Sequence, residues 1–152
     1  MAVAPTIRVQ GEPFDAAAEI AALTAGRTDI GAVVTFTGLC RDEGGRLARL
    51  DLEYYSGMAE AEIGRVAEDA LQRWPLVGLT IVHRYGPICP GEPIVLVVTA
   101  SPHRAAAFEA AEFLMDYLKS NAPFWKKEML VEGVEAGWVE ARCEDEHALA
   151  RW

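Results

Sequence analysis

Apolar residues along this chain recur in two rhythms, every second position and every third or fourth, and the two follow one another without strict alternation. Phe14–Leu23 is rich in alanine and predicts a short helix. Gly31–Leu39 (GAVVTFTGL) is apolar and β-branched and predicts a strand. Asp42–Arg46, with Gly44 and Gly45, reads as a flexible loop. Leu50, Leu52 and Tyr54 alternate with Arg49, Asp51 and Glu53, the pattern of a half-buried strand. From Met58 to Trp74 the residues Ile63, Val66, Ala70 and Trp74 share one helical face, and Pro75 stops the helix. Leu79–Tyr85 and Ile94–Ala100 predict two strands around a turn containing Pro87, Pro90, Gly91 and Pro93. Ser101-Pro102 then offers an N-cap and a first helical residue. The helix so begun runs to about Lys119, with Phe108, Ala111, Met115 and Leu118 on one face, and Asn121 and Pro123 end it. Lys126–Val131 and Gly137–Arg142 predict a hairpin, and Glu144–Trp152 a polar turn or short helix. Strands and helices mixed in this way predict an α+β fold.

The length of 152 residues fits one domain over 1–152, and a hydrophobic fraction of 51% is enough for a core. No repeat or low-complexity linker interrupts it. The formal net charge of −9 repels polyanions, so nucleic acid is not an expected partner. No apolar run approaches the roughly 20 residues of a membrane span, and Met1–Phe14 has no apolar core for a signal peptide. The expectation is a cytoplasmic protein with no membrane partner. Cys40, Cys89 and Cys143 are odd in number and widely spaced, which points to reduced thiols rather than a disulfide framework or a metal site.

Against this acidic background the cations matter by their placement. His103 and Arg104 fall in the first turn predicted for a helix, where exposed N–H groups favour anionic side chains. A bound anion would resolve that conflict; so would side chains that reach solvent or a nearby carboxylate. Lys119 in a last helical turn complements the helix dipole. Yet it stacks with Phe108, Glu112 and Met115 near the apolar face, where a lysine partly withdrawn from water can serve as base or nucleophile. Lys126 and Lys127 alternate on a strand, so only one can face a given site; a solvated basic pair is the plainer reading. Arg41 beside glycines either cradles a phosphate or sits in a surface loop. Cys40 is a small buried hydrophobe rather than a persulfide carrier.

The same segments carry a family resemblance. GAVVTFTGLCR at Gly31–Arg41, LEYYSGM at Leu52–Met58, RWP at Arg73–Pro75, HRYG at His83–Gly86, the Ser101–Arg104 stretch, the long block FEAAEFLMDYLKSNAPFWKK at Phe108–Lys127 and WVEAR at Trp138–Arg142 together resemble the large subunit of molybdopterin synthase over essentially the whole chain. The block that runs into Glu128 is highly specific. One departure is Cys40, where the family pattern has an aliphatic residue of compatible size.

The resemblance implies an α+β fold with a hammerhead-like core and a small β-rich subdomain. It implies a homodimer, each copy of which binds a small ubiquitin-like sulfur-carrier subunit, a heterotetramer overall. That partner's C-terminal Gly-Gly tail carries a thiocarboxylate, and sulfur passes from it to cyclic pyranopterin monophosphate in two rounds, opening the cyclic phosphate to give molybdopterin. By matching positions, Lys119 and Lys126 are expected to be catalytic. Arg41, His103 and Arg104 are expected to hold the substrate's phosphate, Lys127 and Glu128 to line the same pocket, and Leu39 and Cys40 to bind the substrate beside Arg41. No metal or organic cofactor is implied. The residue types suit the reaction: substrate and thiocarboxylate are both anions, and local cations offset the Coulomb cost of bringing them together.

His103 and Lys119 lie sixteen residues apart on one predicted helix, roughly 24 Å along its axis at about 1.5 Å per residue. One small pocket cannot take both from one chain, which predicts an active site shared across a dimer interface. Three competing readings remain at this level. A non-catalytic scaffold for a ubiquitin-like protein would need neither lysine. A persulfide sulfurtransferase would need Cys40. A phosphate-binding pterin or nucleotide enzyme of another class would need no protein partner.

Overall fold

The computed structural model describes residues 3–42, 44–131, 135–139, 148–150 and 152. In chain order the elements begin with β1 (Thr6–Gln10), α1 (Ala16–Thr24), β2 (Ala32–Leu39), β3 (Leu47–Tyr54) and α2 (Met58–Arg73). They continue with β4 (Gly78–Arg84), β5 (Gly86–Ile88), β6 (Pro93–Ser101), α3 (Arg104–Asn121), β7 (Phe124–Leu130) and β8 (Glu135–Val139). Two four-stranded sheets result, ordered β1-β4-β6-β2 and β5-β3-β7-β8. The fold is α+β as expected, and the second sheet is its β-rich part.

In the first sheet β1 runs parallel to β4, while β4–β6 and β6–β2 are antiparallel. Every residue of β4 is buried, because both sheet faces are covered. Ile81, Val95 and Val97 pack with Ile63, Val66 and Ala70 of α2 and with Phe113 and Leu114 of α3. On the other face Val82, Leu96 and Val98 meet Ile20 and Leu23 of α1. Strands covered on both sides read as continuous apolar runs rather than alternating ones. Burying a side chain such as Phe113, at 0% exposure, contributes on the order of 2–3 kcal/mol.

The helix ends follow local chemistry. Asp15 caps α1 by accepting from the Ala18 N–H. At α2 the N–H of Gly57 donates to the Glu60 carboxylate, 3.0 Å away. Trp74 turns extended ahead of Pro75 and closes that helix.

The start of α3 corrects the sequence reading. Ser101 is not the N-cap and Pro102 is not the first helical residue. Ser101 is the last residue of β6, paired with Ala32, and His103 is the N-cap, without a side-chain capping bond. The ladder takes Ser101 because the Gly31 N–H donates to its carbonyl, and its hydroxyl donates to the His103 carbonyl. A Cβ on Gly31 would collide with the Pro102 carbonyl, so glycine is what lets the strand pass so close. Phe108 also departs from expectation. It is 60% exposed, while Ala107, Ala110, Phe113 and Leu114 form the buried stripe of α3 with Ala111 and Leu118.

Two strands were not expected. One is β1; the other is β5, three residues inside what reads as a proline turn. The hairpin of β7 and β8 is antiparallel as expected, but β7 begins at Phe124 and β8 at Glu135. The expected strand residues 140–142, Cys143 and most of the tail lie outside the described residues. No described helix is long and apolar enough to cross a membrane.

Candidate functional site at the junction of α3 and β7

Only Ala122 and Pro123 separate the end of α3 from the start of β7. This short link brings the last turn of the helix, with Lys119, beside the first residues of the strand, with Lys126. Lys119 is exposed and Lys126 half-buried.

Strand register sorts the basic pair. On β3, Tyr54, Leu52 and Leu50 stand opposite Phe124, Lys126 and Glu128, whereas Glu53 and Asp51 stand opposite Trp125 and Lys127. Leu50 and Leu52 are buried, so Phe124, Lys126 and Glu128 share the inner face. Lys127 and Trp125 project from the other face. Lys127 there stands across from Asp51, which Arg49 pairs at 2.9 Å. Lys126 and Glu128 therefore come together, and Lys127 does not join them.

The inner face meets the first sheet through an aromatic column. The His83 ring lies on Phe124 with centroids 3.7 Å apart and planes 14° from parallel. Phe124 also stacks on Tyr54 at 5.8 Å, and Tyr54 meets Tyr85 at 4.7 Å. His83 is 6% exposed, and its Nδ1 lies 2.8 Å from the Arg84 carbonyl oxygen. Burial pushes this imidazole down to about 4, the Arg84 hydrogen bond opposes that in part, and the positive charges of Lys126 and Lys119 push it further down. Both lysines thus project their field onto one buried ring. His83 was legible only as part of a family segment; the available signal was a histidine followed by an arginine closing an otherwise apolar strand, GLTIVHR.

The remaining expected residues sit elsewhere. Leu39 is 56% exposed at the end of β2, and Arg41 is exposed in the loop after it. The Cys40 thiol between them is buried with Leu50, Leu52 and Ile88, and donates weakly to the Ile88 carbonyl at 3.8 Å. Burial raises this thiol, and the negative charge of Glu92 raises it further. A buried, protonated thiol is a poor sulfur nucleophile. Glu128 contributes to the same negative field at Cys40, which ties the Arg41 loop to the β7 face. His103 and Arg104 are exposed at the opposite end of α3. Because α3 is one unbroken helix, they stand roughly 24 Å from Lys119. Among the described residues no three His, Cys, Asp or Glu side chains gather as a metal site.

The MoaE protein family pattern matches residues 9–121. The chain belongs to the MoaE family. That match stops just short of β7, but whole-chain likeness continues through it. The molybdopterin synthase catalytic subunit of Mesorhizobium japonicum is 67% identical over 99% of this chain and 94% of its own length. Among solved structures, the molybdopterin biosynthesis MoaE protein of Burkholderia ambifaria superposes with a TM-score of 0.84, at 47% identity, covering 98% of each chain. The molybdopterin synthase of Staphylococcus aureus gives a TM-score of 0.77 at 31% identity, over 86% of this chain and 94% of that one. The activity that goes with membership of the MoaE family is sulfur transfer in molybdopterin synthesis.

Proposed function

We propose that this MoaE chain performs its sulfur transfer at the junction of α3 and β7, with Lys119 and Lys126 as the catalytic pair. The two-residue link that joins the end of α3 to β7, with Lys126 on the same face of that strand as Phe124, carries this reading. The sulfur donor is the C-terminal thiocarboxylate of a small ubiquitin-like subunit. The relatives are named catalytic subunits, a term that implies at least one further subunit. The acceptor is cyclic pyranopterin monophosphate, and two rounds give the dithiolene of molybdopterin. An ammonium at this junction offsets the repulsion between two anions and stabilises the oxyanion formed when the thiocarboxylate carbonyl is attacked. Glu128 shares that face with Lys126, and Arg41 reaches toward it from the loop after β2. Leu39 and Cys40 shape its wall, and Lys127 acts from the far side of β7. The reaction belongs in the cytoplasm.

His103 and Arg104 hold the substrate's phosphate from a second copy of the chain. Two observations support a homodimer that shares its sites. The length of α3 separates these residues from Lys119. Around the start of α3, large apolar side chains stand exposed: Phe36 at 39% on β2, an edge strand of its sheet, and Phe108 at 60%. Phe36 pairs with Val97, a residue of the helix-covered core, so both phenylalanines lie on the α3 side of the sheet.

The test is reconstitution of the chain with thiocarboxylated small subunit and cyclic pyranopterin monophosphate, reading molybdopterin as its oxidised fluorescent derivative. Wild type is expected to make product and Lys119→Ala to lose at least about a hundredfold in rate. A stable complex that makes no product would replace this reading with a scaffold.

A further inference from the structure

Beyond the two lysines, the group at the junction with the most specific surroundings is His83. A carbonyl oxygen only accepts, so the proton between His83 Nδ1 and the Arg84 carbonyl belongs to the ring. That fixes the tautomer: Nε2 keeps the lone pair and acts as acceptor. Phe124 and Lys126 are two residues apart on β7 and project from one face. A ring lying on Phe124 is therefore on the Lys126 side of the strand. Its ladder neighbours on β1 and β6, Val9 and Val95, are apolar, and the charges that reach it across the sheet interface are those of Lys126 and Lys119.

We propose that His83 is a positioning residue for sulfur transfer: pinned flat on Phe124 and oriented by the Arg84 carbonyl, its ring turns Nε2 toward the lysines as an acceptor that holds the Lys126 ammonium in its working place. This rests on the sulfur-transfer reading above and deepens it. Packing alone would be served by phenylalanine, which stacks as well and has no polar atoms to desolvate. An imidazole here makes sense when both nitrogens are used. Its neutrality matters equally. A protonated His83 would be a third cation in the field of two lysines and would have no acceptor to offer; burial keeps the ring uncharged at neutral pH. Phe124, held by His83 and also stacked on Tyr54, makes a stiff mount two residues from the amine it serves.

The experiment uses the full chain and two readouts. One is the reconstituted synthesis, split into kcat and KM for the pterin. The other is the titration of the Lys126 side-chain amine by NMR in the chain alone, with Lys127 as internal reference. His83→Phe keeps the stack and removes both nitrogens; His83→Gln keeps a side-chain acceptor; Ile81→Val is a control for a purely structural loss in the same strand. The expected result for His83→Phe is a kcat lowered by about tenfold or more with KM within about twofold, and a Lys126 midpoint lowered by about half a unit or more with Lys127 unmoved. His83→Gln is expected to keep the Lys126 midpoint and to recover kcat to within about threefold of wild type. An unmoved Lys126 midpoint in His83→Phe overturns the proposal, as does a His83→Gln that behaves like His83→Phe, or an equal kcat loss in Ile81→Val. If wild type makes no molybdopterin, the sulfur-transfer reading falls by itself, and the Lys126 titration still decides whether His83 holds that amine.

Discussion

Arg84 and Glu92 close the turn between β4 and β6, with the guanidinium Nη1 3.2 Å from the carboxylate Oε2. The arginine side chain is 5% exposed and its partner 38%. The same guanidinium donates to the carbonyls of Gly11, at 2.9 Å, and Pro93, at 3.0 Å. It thereby staples the segment after β1 and the start of β6 to the end of β4.

Removing that cation leaves two carbonyls and a carboxylate short of a donor. Arg84→Met is expected to lower the unfolding free energy by about 2 to 4 kcal/mol. Arg84→Lys should recover only part of this, because an ammonium cannot reach three acceptors in a plane. Chemical denaturation at neutral pH measures both, and an Arg84→Met as stable as wild type would refute the staple.

The depressed His83 imidazole makes stability depend on pH in a definite direction. Its folded value is about 4 against 6.5 for the free side chain, so between these values the unfolded chain holds the extra proton. Stability is then full above about pH 6.5 and is lost as the pH falls toward 4, by about 3 kcal/mol in all from this group. Unfolding free energies measured from pH 4 to pH 7 should show that slope, and His83→Phe should flatten it.

Shared pockets predict complementation between two dead variants. A chain with Lys119→Ala and one with Arg104→Ala should each be nearly inactive alone. Mixed by co-refolding at equal amounts, half of the dimers are heterodimers with one intact pocket each, so about a quarter of wild-type activity should return. If each site drew all its residues from one chain, mixing would restore nothing.

Cys40→Ser separates the sulfur-transfer reading from a persulfide route. The thiol lies among Leu50, Leu52 and Ile88, so a hydroxyl there should cost about 1 to 2 kcal/mol of stability. At a temperature where the variant is folded, its synthesis rate should stay within about twofold of wild type. A loss of activity by orders of magnitude in a folded Cys40→Ser would return the chemistry to this sulfur.

What the sequence made legible was what local periodicity encodes. The buried stripe of α2 follows from the spacing of Ile63, Val66 and Ala70, and the inner face of β3 from Leu50 and Leu52. What stayed hidden depends on partners distant in the chain. The TIRVQ segment of β1 becomes a strand by pairing with β4, more than seventy residues away. Ser101-Pro102 has the local look of a helix start, but a ladder bond from Gly31 outcompetes it. Strand geometry alone requires different fates for Lys126 and Lys127; which lysine faces inward depends on the register with Leu52. His83 is not legible as an individual residue, because its two ring contacts come from its neighbour's backbone and from a strand some forty residues later.

The two-residue link between α3 and β7 turns helix length into a dial for the site. Each residue added to a helix advances it by about 1.5 Å and rotates it by about 100°. With only Ala122 and Pro123 to absorb a change, one residue gained or lost in the last turns of α3 would swing Lys119 to a different side of the axis while Lys126 stayed fixed by β3. The spacing from Lys119 to Lys126 is therefore a constraint of count rather than of composition. A change of length along this stretch would move the site even where every side chain were kept.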